Sequence, residues 1–204
     1  MMHEYWIATT NGGKIKEIQH LLAGSGIQAY APTAAFAACP PVEETGKSFI
    51  ENAILKARHG SACMAHPTVA DDSGLCVKDL GGEPGIFSAR FGGEDTNYQE
   101  KMALLLERLA NRSIVHAPAH FYCAVASVEH PEDPTPVVAV AAWAGWIASA
   151  PVGKNGFGYD PIFYVKEEGC TAAELEPSKK YVISHRAQAV TGWMKRLMAS
   201  MGDK

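Results

Sequence analysis

The sequence predicts an α/β protein, because segments typical of strands alternate along the chain with segments typical of helices. Residues 121–128 and 137–147 are long, mostly apolar runs bounded by turn residues, as expected of strands buried on both faces. Residues 48–65 instead have the spacing of an amphipathic helix. A chain of 204 residues with 47% hydrophobic content can bury one sizeable core or two small ones, and we expect one compact unit.

The chain opens with a predicted strand, loop and helix that together suit an anion. Residues 5–9 are the strand and residues 11–13 (Asn-Gly-Gly) the loop, so Lys14 stands at the start of the helix. Backbone N–H groups and the positive end of the helix dipole face the same way at such a place, which makes the loop a candidate phosphate site. The spacing is not that of a Walker A motif, and an ordinary strand-to-helix turn is an equally good interpretation.

The helix predicted over residues 48–65 has a polar line on one face. Ser48, Asn52 and Lys56 recur every four residues and therefore lie above one another. This line allows Lys56 to face a ligand, although a solvated surface lysine is the more common case. Glu44, just before the helix, adds a carboxylate of the kind that a magnesium ion needs.

Two adjacent acids, Asp71 and Asp72, follow a short apolar run and precede Ser73 and Gly74. We interpret this stretch as a strand that ends at the acids, a turn, and then a second apolar run. Paired carboxylates at a strand end suit a metal ion, but Asp, Ser and Gly also serve simply to turn a chain. The functional interpretation is favoured because three other polar clusters offer groups that a triphosphate or its magnesium would need.

The remaining stretches are assigned from their glycines, prolines and periodicity. They are a strand at 28–31, a loop rich in Ala and Pro at 32–41, an irregular Gly-rich stretch at 79–93, a helix from Met102, a Gly-rich loop at 153–161, a strand at 162–165 and a closing helix after Arg186. In the loop at 153–161, Phe157 suits a stacking platform for a base, with a packed turn as an equal alternative. The last polar cluster, residues 176–186, contains Lys180.

Composition and charge limit the partners of this protein. The formal net charge of −4 argues against a nucleic-acid partner, because binding to a phosphate backbone requires a concentrated basic face. No stretch approaches the ~20 apolar residues of a membrane span. The first apolar run is also too short for a signal peptide. We therefore expect a cytoplasmic protein with no membrane partner.

The cysteines are odd in number, scattered and free of any C-x-x-C pair; they are Cys39, Cys63, Cys76, Cys123 and Cys170. Neither a disulfide framework nor a zinc ribbon is indicated, and we interpret them as reduced, mostly buried thiols. His59 and Cys63 are four residues apart on the predicted helix, but two ligands without clear partners do not close a zinc site. We interpret both as structural.

Taken in order, the polar motifs resemble those of the inosine triphosphate pyrophosphatase family, also called dITP/XTP pyrophosphatases, and of its bacterial branch in particular. The matching segments are residues 9–14 (TTNGGK), 43–46 (EETG), 51–53 (ENA) with Lys56, 70–75 (ADDSGL), 84–90 (PGIFSAR), 156–161 (GFGYDP) and 184–186 (SHR). They span nearly the whole chain. Each is weak alone, and their joint order makes the resemblance specific.

The resemblance implies a fold and an activity. The fold is a single α/β domain over residues 1–204, with an elongated mixed β-sheet flanked by helices and two lobes around a central substrate cleft. The activity is magnesium-dependent hydrolysis of the purine nucleoside triphosphates ITP, dITP and XTP to the monophosphate and pyrophosphate, in a homodimer.

The resemblance also implies roles for individual residues. It makes Asp72 the proton acceptor, and Glu44 and Asp72 the magnesium ligands. The implied substrate contacts are Thr9, Thr10, Asn11, Gly12, Gly13, Lys14, Lys56, Ser73, Phe157, Gly158, Tyr159, Asp160, Lys180, His185 and Arg186. Thr10 is a departure from the pattern, since many relatives have glycine there.

Three other interpretations stay open. A related nucleotide pyrophosphatase of different base preference, of the septum-inhibitor type, would share the fold and is separated by a substrate panel. A nucleotide-binding regulator without turnover is opposed by the presence of Lys14, Glu44 and Asp72. A structural α/β protein whose acids and lysines only solvate its surface accounts for each cluster, but not for their joint order.

Overall fold

The computed structural model describes residues 3–202, which contain seven strands and six α-helices. The strands are β1 (His3–Ile7), β2 (Ile27–Tyr30), β3 (Thr68–Val77), β4 (Ala117–Val128), β5 (Val137–Ile147), β6 (Phe163–Val165) and β7 (Cys170–Thr171). The helices are α1 (Gly12–Leu22), α2 (Ala34–Ala38), α3 (Phe49–Met64), α4 (Tyr98–Ala110), α5 (Pro177–Ile183) and α6 (His185–Gly202). Short 3₁₀ helices lie at Lys78–Leu80, Gly85–Arg90 and Asp160–Ile162.

The strands form one mixed sheet in the order β2-β1-β3-β4-β5-β6-β7. Strand β1 runs parallel to β2 and β3, whereas β6 runs antiparallel to β5 and β7. Parallel neighbours need a crossover connection, and α1 provides it between β1 and β2. In the register of β1 and β3, Trp6 pairs with Thr68 and Ile7 with Val69. The α/β class predicted from the sequence is confirmed.

The chain divides into two compact units, each with its own apolar core. The first unit contains the described residues up to Asp72, residues 123–141 and those from Arg186; the second contains residues 73–122 and 142–185. In the first, the fully buried Trp193 of α6 donates its indole N–H to the Ser127 hydroxyl at 2.9 Å. In the second, Phe121, Trp143 and Phe163 pack ring against ring.

Three local predictions were wrong. Strand β3 continues through Ser73 and Gly74, because a strand with neighbours on both sides is held by sheet pairing that overrides local turn preference. Residues 34–38 form α2 instead of loop, as their alanines favour. Strand β5 is buried on one face only, at Ala139, Trp143 and Ile147.

The prediction for the cysteines was wrong as well. Cys39 and Cys63 form a disulfide with a Cα–Cα distance of 6.2 Å. This pairing depends on α2 packing beside α3, a tertiary contact that the spacing of cysteines along the chain does not reveal. Of the three free thiols, only Cys123 is buried; Cys76 and Cys170 are partly exposed.

None of the helices within residues 3–202 combines the length and the apolar character needed to span a bilayer.

Candidate active site

Asn11 organises the loop between β1 and α1. Its side-chain oxygen accepts hydrogen bonds from the N–H groups of Gly13 at 2.9 Å and Lys14 at 3.2 Å, and so caps the helix. The Thr9 hydroxyl oxygen in turn accepts the Asn11 N–H at 3.2 Å. Thr10 and Gly12 are exposed. The loop and helix start predicted from the sequence are therefore present. The Asn11 side chain binds two of the N–H groups that we expected to face an anion.

Lys14 and Arg186 both contact the buried carboxylate of Asp71. The Lys14 ammonium lies 3.0 Å from Asp71 Oδ2, and the Arg186 Nε lies 3.2 Å from the same oxygen. Burial alone raises the pKa of the Asp71 carboxyl, but the positive charges of Lys14 and Arg186 lower it by a larger amount, so the pKa is lowered overall. Asp71 is thus an ionised anchor for two cations.

Arg186 is buried in this structure, with only 2% of its surface exposed. Its guanidinium also contacts Glu17 of α1, in addition to Asp71. The pKa of Arg186 is raised, because these two acids outweigh the effect of burial. The guanidinium therefore meets carboxylates of its own chain, and the substrate contact predicted for Arg186 stays a prediction.

Lys56 contacts two further acids of the first unit, Glu44 and Asp72. Its Nζ lies 2.6 Å from Glu44 Oε1 and 2.6 Å from Asp72 Oδ1, so these two oxygens are no more than about 5 Å apart. Burial raises the pKa of Asp72, and the charge of Lys56 opposes it only in part. Asp72 is therefore a stronger base than an ordinary aspartate, as a proton acceptor requires.

Asn52 holds the loop that carries Glu44. Its side-chain oxygen accepts the Gly46 N–H at 2.9 Å, and a Cβ at Gly46 would lie only 2.5 Å from that oxygen. The polar line predicted on α3 thus faces inward: Asn52 is fully buried, whereas Ile50 is exposed. The close approach explains why a glycine stands two residues after Glu44.

The donor set of Glu44 and Asp72 fits a magnesium ion. Both are carboxylates, the ligand type that magnesium prefers, and they converge on one cationic atom. Asp72 Oδ2 is buried and has no hydrogen-bond partner among residues 3–202. A buried carboxylate oxygen without a donor is costly, and a bound cation would relieve that cost.

Three of the predicted residues in the second unit form a separate cluster. The Lys180 ammonium lies 2.6 Å from Asp160 Oδ2 and 5.0 Å from the centre of the Phe157 ring. The Phe157 N–H donates to the same Asp160 oxygen at 2.7 Å. Gly156 has a positive φ of 74°, and a Cβ there would meet Asp160 Oδ2 at 2.1 Å. The turn thus requires glycine for conformation and for space.

The other predicted residues of the second unit are packed against its interior. The buried Tyr159 donates its hydroxyl to the Ser88 carbonyl at 3.0 Å. The His185 ring stacks on Phe121 with centroids 4.7 Å apart. Gly158 has a positive φ of 71°, and Ser73 is half-buried on β3. Tyr159 is therefore held in place by a hydrogen bond and His185 by ring stacking.

The structure brings part of the predicted set together. In the first unit, Lys14, Glu44, Lys56 and Asp72 meet through direct ion pairs or, for Lys14, through the neighbouring Asp71. Glu17 was not predicted, and Asn52 was placed on the polar line of the helix without a role in the site. The signals that could have found them are local: a glutamate one turn after Lys14 beside core residue Ile18, and an asparagine on the polar line of α3.

The fold is mixed α/β, and carboxylates and lysines meet beside a strand, a loop and the start of a helix. Such a site suits a protein that binds a divalent cation and an anionic substrate. The chain belongs to the Ham1 family, whose model matches residues 5–196. The dITP/XTP pyrophosphatase of Legionella pneumophila (strain Paris) is 50% identical over 189 residues, which cover 93% of this chain and 95% of that protein. The Escherichia coli (strain K12) dITP/XTP pyrophosphatase is 48% identical over the same shares.

Solved structures agree with this assignment. A HAM1 protein from Coxiella burnetii has a TM-score of 0.88 at 42% identity, over 97% of this chain and 100% of that one. The dITP/XTP pyrophosphatase from Mycobacterium abscessus has a TM-score of 0.72 at 39% identity, over 92% and 97%. The family resemblance predicted from the motifs is confirmed.

Proposed function

We propose that this protein is a magnesium-dependent pyrophosphatase that hydrolyses dITP, ITP and XTP to the nucleoside monophosphate and pyrophosphate. The observation that carries the proposal is the convergence of Glu44 and Asp72 on Lys56, with one Asp72 oxygen buried and unpartnered among residues 3–202. The 50% identity to a dITP/XTP pyrophosphatase over almost the whole chain supports the choice of substrate.

The charged groups around Lys14 and Lys56 attract a triphosphate only when a divalent cation binds among them. Three cations, Lys14, Lys56 and Arg186, stand beside four acids, which are Glu17, Glu44, Asp71 and Asp72. This set has a net charge of −1, so it repels a substrate with several negative charges. A divalent cation reverses the sign, and Lys14 and Lys56 then add charge-assisted hydrogen bonds of roughly 1.5–3 kcal/mol each.

Glu44 and Asp72 hold the magnesium ion in this proposal. When bound, the ion neutralises phosphate charge and acidifies a water molecule. Lys56 keeps the two carboxylates close together, and Asp72 would accept the proton of the attacking water, for which a weak base suffices because the water is acidified. Lys14, held by Asp71, neutralises charge on the leaving pyrophosphate.

Recognition of the base is assigned to the second unit and to the start of α6. Hypoxanthine and xanthine have a carbonyl at C6 where adenine has an amino group, so a hydrogen-bond donor there rejects adenine strongly. We assign this donor to the main chain near His185, since the Arg186 guanidinium contacts Asp71 and Glu17. Phe157 stacks on the base and contributes affinity without selectivity.

Asp72→Asn is the direct test of the proposed reaction. The amide cannot accept the proton and is a poor magnesium ligand, so we expect turnover of dITP, measured as pyrophosphate release, to fall at least ~100-fold. Nucleotide affinity should change only a few-fold. The exposed Asp95→Asn is the matched control and should behave as the unaltered protein does. Near-normal turnover by Asp72→Asn would exclude the assignment.

A substrate panel separates the proposal from its rivals. We expect kcat/KM for dITP and XTP to exceed the values for dATP and dTTP by at least ~10²-fold. Preference for a pyrimidine triphosphate would favour the septum-inhibitor type of enzyme. Binding of dITP without any single-turnover cleavage in magnesium would favour a regulator.

We also propose that the protein is a homodimer that acts in the cytoplasm. The family resemblance supports the dimer. A cytoplasmic location suits an enzyme that acts on free nucleotides. Neither point is needed for the proposed roles of Glu44, Lys56 and Asp72.

A further inference from the structure

Three potential metal ligands lie together in the first unit, and none of them is among the residues assigned to catalysis. Cys39 follows α2, whereas His59 and Cys63 are one turn apart on α3. The two Sγ atoms and a His59 ring nitrogen all lie within 4.8 Å of one another. Among residues 3–202, no other histidine, cysteine or acid joins this group.

The His59–Cys63 pair has the separation of two ligands of one zinc ion. Cys63 Sγ lies 3.5 Å from His59 Nε2. In a tetrahedral site with Zn–S of ~2.3 Å and Zn–N of ~2.05 Å, the sulfur and nitrogen are about 3.5 Å apart. His59 and Cys63, four residues apart on one helix, therefore already have the sulfur–nitrogen distance of two ligands in a tetrahedral zinc site.

The backbone positions of the two cysteines also allow coordination. Their Cα atoms are 6.2 Å apart, and two thiolates on one zinc ion need a sulfur separation of only about 3.8 Å. Rotation of the cysteine side chains supplies that separation once the disulfide is reduced. Phe36 of α2 meets the His59 ring edge to face, with centroids 6.2 Å apart, and so restricts its orientation.

All three residues are accessible to solvent, since each is only partly buried. A reductant and a metal ion can therefore reach them. Disulfides in reducing compartments are usually reversible, so the dithiol is a relevant state of this pair if the protein is cytoplasmic. The fourth position of the tetrahedron falls to water, as in open zinc sites.

We propose that Cys39, His59 and Cys63 form a redox-gated site for a soft divalent cation, with zinc as the preferred ion. A dithiol reductant supplies two electrons and two protons that convert the disulfide to two thiols, and is itself oxidised to a disulfide. Zinc then binds both sulfurs and the neutral His59 ring, and the two thiol protons leave to solvent. Oxidation of the pair by a disulfide oxidant reverses these steps and releases the ion.

Cobalt binding tests the proposal, because a thiolate–cobalt bond gives an intense near-ultraviolet band. Full-length protein is stripped with chelator, reduced with dithiothreitol, freed of both reagents without oxygen, and titrated with Co²⁺ alone. We expect one equivalent of Co²⁺ to develop the band and one equivalent of Zn²⁺ to remove it. Protein oxidised beforehand should give no band, and native mass spectrometry should find one zinc per reduced chain.

Matched variants locate the site. Cys63→Ser and His59→Ala should each lower the affinity of the reduced protein for zinc by more than about 100-fold. Cys76→Ser and Cys170→Ser alter thiols outside the group and should bind as the unaltered protein does. Circular dichroism and dITP turnover in magnesium verify that each variant is folded.

The proposal is overturned if the reduced protein binds Co²⁺ without a thiolate band. It is equally overturned if Cys76→Ser or Cys170→Ser removes the band while Cys63→Ser retains it. Both readouts are taken without nucleotide, so failure here is distinct from failure of the proposed pyrophosphatase activity.

Discussion

Asp71 and Asp72 are neighbours on β3, yet the pKa values of their carboxyl groups shift in opposite directions. Both are buried, which raises each pKa. Asp71 contacts Lys14 and Arg186, whose two charges reverse the effect, whereas Asp72 pairs with Lys56, which it shares with Glu44 and which opposes the effect only in part. One carboxylate therefore anchors cations, and its neighbour keeps the basicity that a proton acceptor needs.

Asp71→Asn should destabilise the protein more than any loss of a surface charge. The change leaves Lys14 and Arg186 without their shared counter-charge, and breaking such a buried pair costs about 3–5 kcal/mol of unfolding free energy. Urea denaturation measures the change. Asp79→Asn, at an exposed position, is the control and should alter stability by less than about 0.5 kcal/mol. Equal stability of the two variants would contradict the anchoring role.

Cys76 should react slowly and with an unusual pH dependence. Burial raises its pKa to about 11, so the thiol stays neutral, and therefore unreactive, until the pH approaches that value. We expect its alkylation by iodoacetamide, followed by mass spectrometry, to accelerate about tenfold per pH unit from pH 8 to pH 10. In urea the same thiol has an ordinary pKa of about 8.5, and its rate should level off near pH 9. If the alkylation rate of the folded protein also levels off near pH 9, the pKa of Cys76 is not raised.

At the scale of elements, the position of α3 depends on Gly60. A Cβ at Gly60 would lie 2.6 Å from the Ala8 Cβ and 2.8 Å from Thr68 Cγ2, so the helix sits directly on β3 and on the residue that follows β1. Lys56 is one turn earlier on the same helix. Close backbone packing at Gly60 therefore determines where the Lys56 ammonium reaches.

Gly60→Ala should consequently reduce both stability and turnover. Overpacking of this kind costs about 1–3 kcal/mol and displaces the helix, so we expect a lower Tm and a lower kcat for dITP. Gly192→Ala is a matched control on α6, where the new Cβ would meet Ala139 at an ordinary 3.6 Å. That variant should be as stable as the unaltered protein or slightly more stable. If Gly60→Ala has the same Tm and kcat as Gly192→Ala, the helix does not depend on close packing at Gly60.

The elements that the sequence predicts well are those with local signals. Helix α3 was predicted over residues 48–65 and lies at Phe49–Met64, because Ser48 caps it and its apolar spacing is regular. The break predicted after Asp72 failed, since sheet pairing is not a local property. The site follows the same rule: Lys14 and Asp72 are recognisable from motifs, but the contacts of Arg186 with Glu17 depend on how distant segments pack.

At the scale of the whole molecule, the chain passes between its two units four times. Strands β3, β4 and β5 each contribute residues to both units. Neither unit is therefore a continuous fragment that could be expressed alone, although each has its own core. A single domain over residues 1–204 with one shared cleft stays a prediction.

The proposed homodimer is tested on the intact chain. Sedimentation equilibrium at micromolar concentration should give twice the mass of the chain. A mass equal to one chain would contradict the homodimer.

Lys56 gives the site a further property, because the protein supplies its own counter-ion to Glu44 and Asp72. The two acids are held without help from any solute, so folding does not wait for the metal supply. Under the proposed magnesium dependence, a cell short of free magnesium would keep a stock of intact but inactive enzyme that escapes the proteolysis of unfolded chains. Removal of faulty nucleotides could then resume as soon as the ion returns, with no delay for new synthesis.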